Sequence, residues 1–264
     1  MESNTVILGC DSVTLAFGTK VVLRDVSFSV RRGSIFAVMG GSGTGKSTVL
    51  RCMIGLQTPT GGRVLIDDED LWTADAARRV AIGRRFGVLF QSGALWSSLT
   101  VGENVALPLQ MLTDLSVTEI GTLVRLKLAL VGMGAAETKL PAALSGGMRK
   151  RAGLARAIAL DPDILFFDEP SAGLDPITSQ RLDELILELR DGLGATVVIV
   201  SHELPSLFRI CDDGVFLDAD AKTAVAHGAP RTLRDSSTHP TVRAFMRRAE
   251  PVTAGSNGTS SGLG

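Results

Sequence analysis

The residues in this chain best suited to chemistry form one run, Gly40-Gly41-Ser42-Gly43-Thr44-Gly45-Lys46-Ser47-Thr48. From Gly40 to Ser47 it meets the spacing G-x-x-x-x-G-K-[ST]. Without a Cβ, glycine lets the backbone curl and turn successive N–H groups inward around an anion. Lys46 adds a positive charge for the β- and γ-phosphates of a nucleoside triphosphate, and the Ser47 hydroxyl is a candidate Mg²⁺ ligand. The chemistry on offer is phosphate binding. An ordinary glycine-rich turn would require neither the lysine nor the hydroxyl.

Other groups could complete such a site. Asp168-Glu169 ends the apolar run Ile164-Leu165-Phe166-Phe167, and Pro170 stops it. Adjacent carboxylates at the end of a buried parallel strand lie where open α/β sheets bind ligands. Ser201-His202-Glu203 ends a second apolar run, Val197 to Val200. A lone histidine is more often structural, but this one closes a core strand beside a phosphate site. Gln91 follows Phe86-Gly87-Val88-Leu89-Phe90, where an amide can reach a metal or a water, or simply face solvent. Leu144-Ser145-Gly146-Gly147-Met148 opens a helix and is a second anion-binding helix start. Its basic run Arg149-Lys150-Arg151 has the pattern of a solvated face. There is no tyrosine, and Phe17 either stacks on a purine or belongs to the core.

The elements that must position these groups follow from periodicity. Residues 6–8 and 12–17 are expected as short strands, and Val22 to Val30 alternates as a half-buried strand should. Thr19-Lys20 marks the turn between the last two. Ile35 to Met39 leads into the phosphate loop, with a helix from Lys46 to Leu56 behind it. A strand is expected at 63–67 and a helix at 74–84. Residues 101–134 are mostly helical in pattern, and a helix runs from the Ser-Gly-Gly start to about Leu160. The run after Pro176 is helical to about Leu193. Val215 to Asp218 and Thr223 to His227 form a terminal hairpin, and Pro240 to Arg248 a short basic helix with Val242, Phe245 and Met246 on one side. That helix is a candidate to dock on a neighbouring subunit.

The fold class expected is α/β, a P-loop core with an antiparallel β subdomain and an inserted α-helical subdomain. The expected division is 1–94 with 161–230 for the ATP-binding core, 95–160 for the helical insertion, 231–250 for a helical extension and 251–264 for a disordered Gly/Ser/Thr-rich tail. With 264 residues, 45% hydrophobic and 21% charged, composition supports a packed core. A net charge of −1 argues against a nucleic-acid footprint. Cys10, Cys52 and Cys211 have no metal spacing, so buried free thiols in a reducing compartment are expected. No secretory signal is evident. No apolar run reaches the ~20 residues that cross a bilayer, so any membrane role must come through a partner.

As a set, the phosphate loop 40–48, Gln91, LSGG at 144–147, Asp168-Glu169, SAGLD at 171–175 and His202 resemble the nucleotide-binding subunits of ATP-binding cassette (ABC) transporters. The resemblance covers about residues 5–248. Met148 departs from it, since glutamine is usual there. A narrower resemblance, to the ATPases of MCE/Mla-type lipid transporters, rests on Phe90 to Trp96, Leu99-Thr100-Val101, Glu103 to Leu109, LSGGM with Arg149-Lys150-Arg151, DPIT at 175–178 and the segment from His227 to Phe245.

The resemblance implies a head-to-tail homodimer. Each ATP would lie between one chain's phosphate loop and the other's Ser145, Gly146 and Gly147, with Asp175 supporting the dimer contact. It implies ATP and Mg²⁺ as cofactors, with Ser47, Gln91 and Asp168 serving the metal, Glu169 polarising the attacking water, His202 contacting the γ-phosphate and Phe17 stacking on adenine. It implies a cleft near residues 91–108 that grips an MlaE-like permease, with Leu95, Trp96, Leu99 and Val101 either lining that socket or packing as core. A STAS-domain (MlaB-like) protein, an MCE-domain protein and the cytoplasmic face of the inner membrane complete the implied setting. The alternatives are an ABC ATPase serving a small-solute importer or exporter, and a non-transport ABC ATPase.

Overall fold

A computed structural model describes residues 5–247 of the chain. The tail from Pro251 and the end of the basic helix at Arg248 lie outside the described residues. Two sheets share the molecule. One is antiparallel, in the order β2 (Lys20–Arg31), β1 (Val6–Phe17), β4 (Gly61–Ile66), β5 (Glu69–Asp70). The other has six strands, in the order β10 (Thr223–His227), β9 (Asp213–Asp218), β3 (Ile35–Met39), β8 (Thr196–Ser201), β7 (Ile164–Asp168), β6 (Phe86–Leu89). All but β10 run parallel in it.

The apolar runs form central strands because both faces of this sheet are covered. Side chains alternate between two cores. Phe36, Val38, Phe166, Val198 and Val200 face the antiparallel sheet and α1 (Lys46–Met53). Leu165, Phe167, Val197 and Ile199 face α5 (Gly146–Ala157), α6 (Pro176–Leu193) and their neighbours. Phe28 of β2 stacks on Phe36 at 5.2 Å between ring centres, joining the sheets.

The parallel register sets the site. Met39 pairs with Ser201, and Asp168 pairs with Val200. Three strands therefore end at one level, and the phosphate loop, Asp168-Glu169 and Ser201-His202 emerge side by side. Between β6 and β7 the chain is helical, through α3 (Val101–Leu112), α4 (Val117–Leu130) and α5. The first two open with capping boxes, Thr100 with Glu103 and Ser116 with Glu119, which satisfy the free amides of a helix start.

Several expectations are corrected. Residues 6–17 form one strand, not two. The break in alternation at Asp11-Ser12 is a bulge, with Ser12 at φ 51° and its amide donating to Ser27 Oγ at 2.8 Å. The hairpin turns at Gly18-Thr19, one residue earlier than expected. The helix behind the phosphate loop ends at Met53, short of Leu56. α7 (Leu204–Ile210) is an additional helix, whose Pro205 sits in the first turn, where a missing N–H costs nothing. α8 (Pro230–Ser236) precedes α9 (Pro240–Met246). Val242, Phe245 and Met246 of α9 are buried against Met39 and Phe216 of the same chain, so this apolar face is not free for a neighbour. Cys10 and Cys52 are buried and Cys211 half-buried, all as free thiols.

Candidate active site

The phosphate loop is shaped by backbone that only glycine tolerates. Gly40 has φ 149°, and a Cβ there would lie 2.6 Å from Leu217 O and 2.8 Å from Thr44 Oγ1. Gly45, at φ 91°, caps α1 and faces Leu23 of β2, 2.9 Å from where a Cβ would sit. The first amides of α1 have no carbonyl one turn back, so they point out of the helix as donors.

Lys46 is folded into the loop it serves. Its Nζ donates to Gly40 O at 3.0 Å and Gly41 O at 2.7 Å, and the residue is only 7% exposed. Burial draws its ammonium below the usual lysine range, against the opposing pull of Glu169 and Asp168. Ser47 Oγ donates to Asp168 Oδ1 at 3.0 Å. Burial pushes the Asp168 carboxyl above the usual range; the Ser47 hydrogen bond opposes this and the neighbouring Glu169 charge adds to it.

Glu169 continues the ladder, its amide donating to Val200 O at 2.8 Å. It then turns at φ 51°, a left-handed conformation that costs a non-glycine residue about 1–2 kcal/mol. Both carboxylate oxygens are held. Oε1 lies 2.7 Å from His202 Nδ1, and Oε2 accepts from Ser201 Oγ at 3.2 Å and from the His202 amide at 3.4 Å. Glu169 is buried while His202 is exposed, so the pair spans from core to surface.

The remaining predicted residues sit further out. Gln91 is exposed in the turn after β6, and among the described residues its amide makes no hydrogen bond to Ser47 or Asp168. Phe17 is 51% exposed at the end of β1, which removes the core reading. Ser145 caps α5, accepting from the Met148 amide at 3.2 Å. Gly147 faces α6, and a Cβ there would lie 2.9 Å from Thr178 Cγ2. Asp175 caps α6, accepting from the amides of Ile177 and Thr178 and from Thr178 Oγ1 at 2.6 Å. The structure thus joins Lys46, Ser47, Asp168, Glu169 and His202, and leaves the Ser-Gly-Gly helix start outside that group.

The basic run on α5 is not a uniformly solvated face. Lys150 is buried, and its Nζ donates to the carbonyls of Glu169, Pro170 and Ala172. Sequence reasoning missed it because Arg149 and Arg151 flank it. Asn104 stands out in the sequence only through the narrower resemblance. It is fully buried and binds Trp96 N and O, Leu99 O and Thr100 O, fixing the approach to α3. Of the socket residues, Val101 is core and Leu95 packs against core, while Trp96 is 60% exposed. Trp96, Phe86, Pro108, Met111 and Arg156 line a groove of about 320 Å³.

Residues 23–172 match the family model described as "ABC transporter". The chain belongs to the ABC transporter family. It is 43% identical over 234 residues to "Intermembrane phospholipid transport system ATP-binding protein MlaF" of Escherichia coli (strain K12), covering 89% of this chain and 86% of that protein. It is 41% identical over 244 residues to "Probable ribonucleotide transport ATP-binding protein mkl" of Mycobacterium tuberculosis (strain ATCC 25618 / H37Rv), covering 92% and 67%. Among solved structures, the dimeric post-hydrolysis ATP-binding cassette MJ0796 with ADP and Pi superposes with a TM-score of 0.76 at 29% identity, covering 84% of this chain and 97% of that one. This chain is an ABC ATPase, with the P-loop NTPase fold, that binds and hydrolyses ATP. The described residues include no helix long and apolar enough to cross a membrane.

Asp168 yields a test of this electrostatic picture. Its raised carboxyl favours the folded state while protonated, and that contribution is lost as pH rises through the folded-state value. Asp168→Asn, which keeps shape and an acceptor for Ser47, is expected to melt above wild type at pH 7 without nucleotide. The gap should close as pH falls into the carboxylate range. A lower melting temperature at pH 7 would mean that pairing outweighs burial.

Proposed function

We propose that two copies of this ABC ATPase sandwich ATP head to tail and use its hydrolysis to drive a membrane permease that moves phospholipid or a related lipid. One observation carries the composite site. Among the described residues, glycine-rich runs open both α1 and α5, and of these only α1 belongs to the cluster of Lys46, Asp168 and Glu169. A two-fold axis lets the second start, Ser145-Gly146-Gly147, close the partner's site. The neighbour MJ0796 is itself dimeric with ADP and Pi, which supports this reading.

In that dimer Lys46 turns from the carbonyls of Gly40 and Gly41 toward the β- and γ-phosphates. The loop amides from Gly41 through Ser42, Gly43, Thr44, Gly45, Ser47 and Thr48 bind the same charge. Ser47 and Asp168 bring a hydroxyl and a carboxylate oxygen to within 3.0 Å of each other, a hard-oxygen pair that fits Mg²⁺. Gln91 would complete the set. Mg²⁺ bound there would neutralise phosphate charge. Glu169, held on both oxygens, accepts the proton of the attacking water. His202 fixes that carboxylate and reaches the γ-phosphate from its exposed side. Phe17 offers adenine an aromatic face, and Asp175 adds a dimer contact to its capping role.

Glu169→Gln preserves shape and removes the base. Hydrolysis is expected to fall at least a hundredfold, while ATP binding persists and a dimer accumulates on sedimentation. Turnover at the wild-type rate in that variant would remove Glu169 from this role.

The permease would enter the groove at Trp96, Pro108 and Met111, whose apolar walls suit a helix from an integral membrane protein of the MlaE kind. The proposed setting is the cytoplasmic face of the inner membrane, with MCE-domain and STAS-domain proteins as further partners. The lipid reading rests on the relative MlaF, whose name states phospholipid transport, and on the segments 90–109 and 227–245. A second reading, a nucleotide-like cargo, is favoured by the relative mkl, whose name states ribonucleotide transport. Purification of the tagged chain in mild detergent separates them. The expected result is an integral membrane subunit with bound phospholipid and ATPase stimulated by phospholipid vesicles. Stimulation by ribonucleotides and not by lipid would support the second reading.

A further inference from the structure

α5 carries more than the Ser-Gly-Gly start. Two of its basic side chains reach opposite flanks of the site. Arg156 donates through Nη1 to Ala94 O at 2.7 Å and through Nη2 to Gly93 O at 3.0 Å, holding the turn that follows Gln91, and it also lines the groove. Lys150, 5% exposed, crosses to the other flank. Its three N–H bonds are matched by three carbonyls of one short loop: Glu169 O at 3.1 Å, Pro170 O, and Ala172 O at 2.7 Å. Three converging carbonyls at the end of a strand repel one another unless a cation stands among them.

These carbonyls belong to the turn that holds Glu169 at φ 51°, away from the conformations it would choose alone. The far side of the same turn is anchored more weakly. Ser171 Oγ accepts from Ser206 Oγ at 3.5 Å, and Ser206 lies 3.3 Å from Ser179. Lys150 is therefore the main side-chain tether on the backbone of the carboxylate, and it comes from the helix whose other end touches the groove.

We infer that Lys150 is a positioning residue: it fixes the backbone of Glu169 and transmits any tilt of α5, whether imposed at the groove or by dimer closure, to the carboxylate. The inference rests on the reading of Glu169 as the group that activates water. With its three N–H bonds directed at carbonyls, Lys150 has no donor left for a phosphate. Its loss should alter turnover and leave nucleotide binding intact.

Lys150→Met keeps length and bulk but removes all three donors, Lys150→Gln keeps two, and Lys150→Arg keeps the charge and several. All are measured in the full chain purified with whatever membrane subunit accompanies it. For the Met variant, kcat for ATP is expected to fall roughly tenfold to a hundredfold, as displacement of a catalytic group would cause, with KM within about twofold of wild type. Gln or Arg should recover most of that loss. Unchanged kcat in the Met variant would overturn the inference. So would a fall in kcat accompanied by a several-fold rise in KM, or Gln and Arg no better than Met. Should Met fail to fold, Lys150→Gln decides: with one of the three carbonyls left unpaired, kcat is expected to fall several-fold with KM within about twofold of wild type, whereas a purely structural lysine predicts a lowered melting temperature with unaltered kcat. Glu169→Gln run beside them keeps the readings apart: wild-type turnover there overturns the role of Glu169, whatever Lys150 does.

Discussion

Lys46, Asp168 and Glu169 bring three formal charges together, each less than a tenth exposed, at the end of a parallel sheet. Ionised groups leave water only when others replace it. Here the replacements are specific. Two loop carbonyls take Lys46, one hydroxyl takes Asp168, and a hydroxyl, an amide and an imidazole take Glu169. Most of these partners exist only because β3, β8 and β7 end at one level. A shift of one residue in that register would turn the carboxylates into the sheet's cores and leave the lysine without its counter-charges.

Lys46 and Ser47 make their hydrogen bonds within the site itself. Lys46 satisfies itself on carbonyls of its own loop, and these are bonds that a phosphate can replace. Burial disfavours the ammonium, so a polyanion placed beside it offsets that penalty. Glu169 differs in that both its carboxylate oxygens and its backbone are held, through Ser201, His202 and the β-ladder. A carboxylate clamped in this way needs little reorganisation to meet a water.

Much of this was legible in the sequence. Ile164 to Phe167 has the pattern of a buried parallel strand, which places Asp168 and Glu169 at its end. The G-x-x-x-x-G-K-[ST] spacing fixed the loop to the residue. Other features stayed hidden because they depend on what lies across space. Lys150 sits between two arginines, and nothing local marks the one basic residue that points inward. The bulge at Ser12 breaks the alternation and mimics the end of a strand. Pro205 mimics the end of a helix. The exposure of Phe17 and Trp96, and the burial of Val101, follow from packing that short-range pattern does not encode.

The central claim is that the phosphate loop of one chain and the Ser145-Gly146-Gly147 start of another build a single site. Mixing two inactive chains tests it directly. One carries Lys46→Ala and the other Ser145→Arg, so that each alone forms only defective sites. If the site is shared between chains, the mixed dimer contains one intact pair, and ATP hydrolysis reappears on mixing at up to about half the wild-type rate per active dimer. A mixture as inactive as its parents, under conditions where the two chains are shown to associate, would contradict the account.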